Sequence, residues 1–308
     1  MFLITGGLGT IGSQTARALL DLGEEVVVTR RHNADVPSFL ADRAIVEHLD
    51  VTDREAFLAL GDRHEITGIV HLAAGGLEVT DPMEFLRVNT TGVLNALEAA
   101  GAWRVDRFAV ASSIGVYAGH PETRRHEGLD LPSTFDLHPI PVFKKAAETL
   151  TMLALADTGV HPVLLRIGTI WGPLGDPASP FIPFPALINA VAKGEQPPTL
   201  YADDGGDCCY APDAGRAIAL LMTTPTLRHD IYNVSSGRPA TNRDFVEACR
   251  AFAPSVRIEL LPGRKNDATS EQPYLDISRL TADTGFVPAF DIKAAVADYA
   301  AWLTDHQR

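Results

Sequence analysis

Three glycines near the start of the chain are spaced as a pyrophosphate-binding loop requires. Segment 5–12 reads Thr-Gly-Gly-Leu-Gly-Thr-Ile-Gly, between an apolar run and an amphipathic run. Glycines permit a tight turn and a close approach of the phosphates, and the N-terminus of the following helix attracts the anion. The segment therefore predicts a dinucleotide site at the start of a helix. The residues predicted to surround the pyrophosphate are Gly6, Gly9, Thr10 and Ile11.

Two arginines after the second apolar run indicate which dinucleotide is bound. Arg30 and Arg31 follow Thr29, where a domain that prefers NAD usually carries an acidic residue. Guanidinium groups suit a 2′-phosphate because they donate two parallel hydrogen bonds. We therefore predict NADP(H), with two solvated loop arginines as the alternative. The other predicted cofactor contacts are Asp50, Val51, Leu72, Ala73, Ala74, Lys144, Ile167 and Gly168.

Short apolar runs alternate with helical stretches through the first half of the chain. This alternation predicts a Rossmann-type α/β fold with a doubly wound parallel sheet. The predicted strands are 1–5, 25–29, 44–49, 68–73, 107–112, 163–170 and 231–234, and the predicted helices include 11–22, 83–101 and 213–222. A proline-rich texture begins after Trp171. We therefore expect a nucleotide domain at 1–171 with 208–237, and a smaller substrate domain at 172–207 with 238–308.

Composition excludes several classes of partner. The chain has 308 residues, of which 46% are hydrophobic, and a formal net charge of −13. The negative charge argues against binding to nucleic acid or to an anionic membrane. No apolar run reaches the roughly 18 residues of a membrane span, and no leader pattern precedes the first strand. We therefore expect a cytoplasmic protein. Its oligomeric state is left open between a monomer and a homodimer. The three cysteines have no metal-ligand spacing, and no metal is expected.

Several further motifs follow the glycine loop in a fixed order. They are Asn-Thr-Thr-Gly at 89–92, Ser-Ser-Ile-Gly-Val-Tyr at 112–117, Lys144 with Glu148, Trp-Gly-Pro at 171–173 and Tyr-Asn-Val at 232–234. Together they resemble the extended short-chain dehydrogenase/reductase family over nearly the whole chain. The resemblance implies that Ser113 stands at the catalytic serine position and that Lys144 holds the nicotinamide ribose, with proton transfer by Lys144 as a lesser alternative.

The chain departs from this family at the residue that normally transfers the proton. The family carries a tyrosine four residues before the lysine, where the cation lowers the phenol pKa. Ile140 occupies that position, and residues 118–200 contain no tyrosine. Losing a positioned acid costs about 10²–10⁴ in rate. The replacements left open are Tyr117, His138, water relayed through Ser113 or through the cofactor ribose, and the substrate itself.

Two more departures bear on the substrate. Gly206 stands where the nucleotide-sugar enzymes of the family usually carry a pyrophosphate-binding arginine, and Thr169 stands where sugar epimerases tend to carry asparagine. A nucleotide-sugar substrate is therefore not expected. The missing tyrosine, together with Arg30 and Arg31, resembles ketoreductases that act on angucyclinones, and this resemblance implies an NADPH-dependent ketoreductase of antibiotic biosynthesis. Its substrate would be a hydrophobic, angucyclinone-like aromatic polyketide whose neighbouring phenol protonates the product. Ile140 would then form an apolar wall, with Ser113 and Thr169 near the carbonyl.

Two alternatives belong to other classes. A non-catalytic NADP-binding regulator or structural protein would explain Ile140 equally simply. A nucleotide-sugar epimerase or dehydratase is disfavoured by Gly206 and by the missing tyrosine. The apolar segment 181–185, which begins with Phe181, is expected to be core or the wall of a substrate pocket.

Overall fold

The centre of the fold is a seven-stranded, wholly parallel sheet. The computed structural model describes residues 1–32, 35–75, 81–133, 138–179, 182–265 and 272–306. The strand order in the sheet is β12-β7-β5-β4-β1-β2-β3. Its strands are β1 (Phe2–Thr5), β2 (Val26–Arg30), β3 (Ile45–His48), β4 (Gly68–His71), β5 (Arg107–Ser113), β7 (His161–Ile167) and β12 (Ile231–Val234).

Helices cover both faces of this sheet, and short strand pairs lie beyond it. The helices are α1 (Thr10–Asp21), α2 (Arg54–Leu58), α3 (Pro82–Trp103), α4 (Pro139–Leu155), α5 (Phe184–Lys193), α6 (Ala211–Thr223), α7 (Asn242–Phe252), α8 (Ser278–Thr284) and α9 (Ile292–Asp305), with a 3₁₀ turn at Ile114–Tyr117. The short strands are β6 (Arg124–Arg125), β8 (Ile170–Trp171), β9 (Leu200–Tyr201), β10 (Gly205–Asp207), β11 (Cys209–Tyr210), β13 (Pro239–Thr241), β14 (Leu260–Leu261) and β15 (Tyr274–Leu275).

The central strands are buried on both faces, which explains their continuous apolar sequences. Leu3 of β1 packs with α2, α3 and α4 on one face. Its neighbour Ile4 packs with α1 and α6 on the other face. Successive side chains of a strand point to opposite faces, so β1 needs apolar residues at both positions.

The predicted Rossmann-type fold is confirmed, with small shifts at the element ends. The strand predicted at 68–73 ends at His71, because residues 72–74 leave the sheet at its carboxyl edge. The strand predicted at 163–170 is β7, which ends at Ile167. Helix α3 starts at Pro82, where the Asp81 carboxylate accepts a hydrogen bond from the Met83 amide at 2.9 Å.

A separate hydrophobic cluster lies within the later part of the chain. It joins α5, α7 and α9 around Trp171 and Phe245. The predicted division into two domains stays a prediction. Phe181 and most of the predicted loop 263–271 lie outside the described residues. Among the helices that the structure describes, none combines the length and apolar character that crossing a membrane needs.

Candidate active site

The glycine loop connects β1 to α1 at the carboxyl edge of the sheet. The Gly9 amide donates to the Gly6 carbonyl at 3.1 Å, and Gly9 caps α1 without any side-chain hydrogen bond. Thr10 and Ile11 form the first turn of α1. A Cβ on Gly12 would lie 2.8 Å from Gly7 Cα and closer still to the Gly6 carbonyl oxygen. The bare helix N-terminus and the close turn fit a dinucleotide pyrophosphate.

A cavity of about 420 Å³ continues from this loop to the end of β2. Its lining residues include Gly6, Gly9, Arg30, Arg31, His32, Val51, Leu72, Ala73 and Ala74. The Arg31 Nε donates to His32 Nε2 at 2.9 Å. The structure therefore brings both predicted arginines together with a histidine that sequence reasoning missed. Cationic groups at this end of the cavity suit a phosphate on the adenosine ribose.

Asp50 does not belong to that cavity lining. Its Oδ1 accepts hydrogen bonds from the Thr52 amide at 2.9 Å and from the Thr52 hydroxyl at 2.7 Å. Partial burial raises the pKa of the Asp50 carboxyl, but the bonds from Thr52 and the charges of Arg31 and His32 outweigh it and lower the pKa overall. Its neighbours Leu49 and Val51 line the cavity instead.

A buried histidine lies beneath the end of β4. His71 Nδ1 is 2.9 Å from the Thr5 hydroxyl, which accepts a hydrogen bond from the Ala73 amide at 3.3 Å. Burial, aided by the nearby positive charge of Lys144, lowers the pKa of His71 to about 3. His71 is therefore neutral at physiological pH. Its Nε2 has no hydrogen-bond partner among the described residues.

The predicted reaction centre lies where β5 meets α4. Ser113 ends β5, and its Oγ accepts a hydrogen bond from the Gly115 amide at 3.0 Å. Lys144 reaches back from α4, and its Nζ donates to the Ala111 carbonyl at 2.7 Å. Ile140, one helical turn before Lys144, is partly buried against the core on the α3 side. The structure thus keeps the serine and the lysine on adjacent elements and places a hydrocarbon where the phenol would stand.

Tyr117 lies in a buried polar network behind this centre rather than as a proton donor within it. It is 1% exposed. Its hydroxyl donates to Asn233 Oδ1 at 2.9 Å and accepts from Arg166 Nη1 at 3.0 Å. Burial raises the pKa of the phenol above its ordinary value, against the opposing charge of Arg166. Tyr117 therefore joins the 3₁₀ turn to β7 and β12 instead of supplying a proton.

The segment after β7 is positioned by a buried carboxylate. Asp207 Oδ2 accepts a hydrogen bond from the Thr169 amide at 3.0 Å, and Oδ1 accepts from the Leu275 amide at 2.9 Å. Burial raises the pKa of Asp207 to about 6 even though Ser235 also donates to it. A Cβ on Gly168 would overlap this carboxylate. Gly168 and the buried Ile167 therefore pack against protein, and Thr169 takes the edge of the next cavity.

A second cavity, of about 590 Å³, opens beyond Thr169. The residues along it include Ile114, Thr169, Tyr201, Gly206, Asn242 and Lys265. Gly206 has φ +149°, a backbone conformation that residues with a side chain rarely adopt. Lys265 is the one cation among the described residues that line this cavity. Sequence reasoning missed Asp207, Asn242 and Lys265, because only the fold shows which polar residues face a cleft.

No metal site is visible in the part of the chain that the structure describes. No group of three or more histidine, cysteine, aspartate or glutamate side chains there could hold an ion. Cys208, Cys209 and Cys249 are buried thiols without disulfides. Burial raises the pKa of the Cys249 thiol to about 12. Such a thiol is protonated at neutral pH and is a weak nucleophile.

The fold and the loop place the chain in one family of enzymes. Residues 2–235 match the model of the NAD dependent epimerase/dehydratase family. The chain belongs to this family, and the predicted resemblance to extended short-chain dehydrogenases/reductases is confirmed at that level. A UDP-glucuronate 4-epimerase of Thermodesulfobacterium geofontis is 25% identical over 322 residues, which cover 99% of this chain and 96% of the relative.

Solved structures of such enzymes have a similar fold over the whole chain. The UDP-glucose 4-epimerase of Thermus thermophilus in complex with NAD has a TM-score of 0.78 and 28% identity, covering 97% of this chain and 98% of the neighbour. The UDP-glucose 4-epimerase of Thermotoga maritima, solved with UDP-glucose, has a TM-score of 0.84 at 21% identity and covers 100% and 99% of the two chains. The second likeness establishes the shared fold alone.

These relatives correct the functional prediction made from the sequence. The expected ketoreductase of an aromatic polyketide is wrong, because the family is one of NAD dependent epimerases and dehydratases and the full-length relatives include UDP-sugar 4-epimerases. They favour the epimerase or dehydratase alternative, which the sequence by itself disfavoured. A narrower likeness, to the angucyclinone C-7 ketoreductase of simocyclinone biosynthesis, has no support among them either. The prediction gave too much weight to Ile140 and Gly206. Two single-residue departures do not outweigh a match along the whole chain, including the region that forms the second cavity.

Proposed function

We propose that this protein exchanges hydride at a hydroxyl-bearing carbon of a nucleoside-diphosphate sugar, as epimerases and dehydratases of its family do. The observation that carries the proposal is the cavity of about 590 Å³ that begins at Ile114 and Thr169, next to Ser113. A substrate bound there extends from the reaction centre into the later part of the chain. The match to a UDP-glucuronate 4-epimerase covers that later part as well.

The side chains along the cavity suit a sugar nucleotide. Tyr201 offers an aromatic surface to a nucleobase. Asn242 is 3% exposed, and its Nδ2 donates to the Tyr201 carbonyl at 2.8 Å, which fixes Tyr201 along the cavity. Lys265 supplies positive charge for a diphosphate where Gly206 supplies none. Lys265 would thus serve in the place of the arginine that family members usually carry at the position of Gly206.

We propose NADP(H) as the dinucleotide. Arg30 and Arg31 lie with His32 at the end of the first cavity, where a 2′-phosphate on the adenosine ribose would be placed. Gly6 and Gly9 would hold the pyrophosphate at the N-terminus of α1. When bound, the nicotinamide ring accepts and returns a hydride. Ser113 orients the substrate hydroxyl, and Asp207 keeps the Thr169 backbone beside it.

The cofactor assignment predicts a large effect of reversing one charge. Arg30→Asp should raise the dissociation constant for NADPH by about 10- to 100-fold, because a hydrogen bond to a charged group contributes about 1.5–3 kcal/mol and each 1.4 kcal/mol is tenfold. Affinity for NADH should change little. Fluorescence titration of both dinucleotides measures the effect. Arg104→Asp makes the same charge change at an exposed helix end on the amino edge of the sheet and should change neither affinity. Equal binding of NADH and NADPH by the unmodified protein would contradict the assignment.

The substrate assignment is tested with UDP-glucose and dTDP-glucose that carry deuterium at C4. We expect the deuterium to pass to bound NADP⁺, which mass spectrometry detects, or to remain in a product epimerised at that carbon, which chromatography separates from the substrate. Each nucleotide sugar should also raise the thermal unfolding temperature. The variant Asn242→Leu should weaken this stabilisation, because it removes the hydrogen bond that fixes Tyr201 along the second cavity. If every nucleoside-diphosphate sugar tested gives no isotope transfer and no thermal stabilisation, the proposed function is refuted.

A further inference from the structure

We propose that Lys144 itself moves the proton in this reaction, in the place of the absent tyrosine. The inference deepens the proposed function and rests on it. In the oxidising half, the neutral Nζ of Lys144 takes the proton of the substrate hydroxyl. In the reducing half, the ammonium returns it. Ser113, on the adjacent strand end, would orient that hydroxyl.

The other side chains around the centre are unsuited to the task. Ile140 is a hydrocarbon, and Tyr117 uses its hydroxyl within the buried network. His138 caps α4, where its Nδ1 accepts a hydrogen bond from the Ile140 amide at 3.4 Å. Lys145 donates to the carbonyl of Pro132, a residue that precedes α4 in the chain. Among the described residues, two titratable side chains contact the end of β5. They are Lys144, which donates to the Ala111 carbonyl, and Glu148, which accepts from the Ser112 hydroxyl but is paired with Arg166.

Lys144 is held without a carboxylate partner among the described residues. Its Nζ donates to the Ala111 carbonyl, two residues before Ser113, and no ion pair joins it to an acidic side chain within the described ranges. Glu148 lies one turn further along α4, but both of its oxygens are bonded to Arg166, at 3.0 and 2.8 Å. An ammonium has three donors, so Lys144 keeps N–H groups for a substrate oxygen and a ribose hydroxyl.

The surroundings of Lys144 favour the neutral amine. Burial lowers the pKa of its ammonium to about 8, because the charge is removed from water. The facing titratable group on β4 is His71, which is neutral and adds no negative charge. Glu148 on α4 is neutralised by Arg166 from β7. An amine that titrates near neutral pH can both accept and donate a proton, which a general acid–base group requires.

The step balances with the dinucleotide as the redox partner. The substrate O–H bond breaks, and its proton joins the lone pair of Lys144 Nζ. The C–H bond of the same carbon breaks, and its hydrogen leaves with two electrons to the oxidised nicotinamide dinucleotide. The carbinol becomes a ketone and the amine becomes an ammonium. The reverse step, on either face of the ketone, restores the neutral amine.

The test separates proton transfer from cofactor holding by charge-conserving substitution. Lys144→Arg keeps a cation with several N–H donors but cannot give up its proton. We expect NADPH affinity to stay within a few-fold while isotope transfer from the C4-deuterated nucleotide sugar falls by about 10²–10⁴. Lys145→Arg, at the neighbouring position on α4, should leave both quantities unchanged. Adding Ile140→Tyr to Lys144→Arg should restore part of the transfer rate, because it reinstates a phenol beside a cation.

A second readout needs no substrate. Competitive acylation of lysines across pH, followed by mass spectrometry, measures the ionisation of Lys144 in the free protein. We expect a midpoint near 8, below the ordinary lysine value of about 10.4. A midpoint for Lys144 near the ordinary value would overturn the proposal, as would undiminished isotope transfer by Lys144→Arg. If the unmodified protein transfers no label, the proposed function fails, and so does the proton-transfer step that rests on it. In that case, a low titration midpoint for Lys144 would show a desolvated amine that does not act in proton transfer.

Discussion

Replacing Arg166 with methionine is expected to lower the free energy of unfolding by about 3–5 kcal/mol, because it leaves a buried carboxylate unpaired. Arg166 and Glu148 have side chains that are only 4% and 8% exposed, and their closest atoms are 2.8 Å apart. Arg166 also donates to the Tyr117 hydroxyl. The change would therefore remove the countercharge of buried Glu148 and one of the two hydrogen bonds of the buried Tyr117 hydroxyl. Urea unfolding followed by circular dichroism measures the loss.

A second variant separates the unpaired charge from the lost packing. Combining Arg166→Met with Glu148→Leu removes both charges, and stability should recover in large part, because apolar pairs often replace buried ion pairs at little cost. Arg54→Met, which breaks an exposed pair with Glu98, should change stability little. A small effect of Arg166→Met alone would show that water reaches Glu148 and that α4 is not anchored through this pair. Lys144 lies on the same helix, so its position would then depend on other contacts of α4.

Replacing Gly12 with alanine should weaken binding of the dinucleotide by about 10- to 100-fold, because overpacking costs about 1–3 kcal/mol and each 1.4 kcal/mol is tenfold. The added Cβ would overlap the Gly6 carbonyl and force the loop away from α1. The helix N-terminus and the loop amides would then no longer converge on the pyrophosphate. Fluorescence titration with NADPH and with NADH measures the loss, which should be similar for both.

The matched control for this change is Gly101→Ala. Gly101 lies in α3, where an added Cβ would meet open space, and alanine favours a helix by about 1 kcal/mol over glycine. The control should leave dinucleotide affinity unchanged and stabilise the protein slightly. Unaltered affinity in Gly12→Ala would show that the loop relaxes without cost. The glycine loop would then not be the pyrophosphate site.

Much of the fold could be predicted from local sequence. The strand near 2–5 follows from a continuous apolar run, and the first helix follows from the glycine loop and the amphipathic run after it. Such patterns are local, because burial on both faces imposes them residue by residue. The ends of the helices and strands were harder to predict. His71 ends β4 because the chain must turn there to line the cavity, and that turn depends on β1 beside it.

The candidate site was predicted in part. Residues carried by one loop or one strand end, such as Gly6, Gly9 and Arg31, line the cavity as placed from the sequence. Asp50 and Gly168 turn instead to partners within the protein, to Thr52 and to Asp207. Asp207, which sets the backbone at Thr169, gave no signal in its own sequence neighbourhood. Its partners lie 38 and 68 residues away.

The sequence by itself determined the fold class, the dinucleotide loop, the pair of arginines and the absence of a tyrosine before Lys144. Each of these depends on residue types within a short stretch, where steric and hydrogen-bonding rules act directly. Only the tertiary structure decided that Tyr117 is buried with Arg166 and that Lys144, within the described part of the chain, stands beside a neutral histidine and without a carboxylate. Burial and pairing depend on residues distant in the chain, and they set the charge that a side chain can carry.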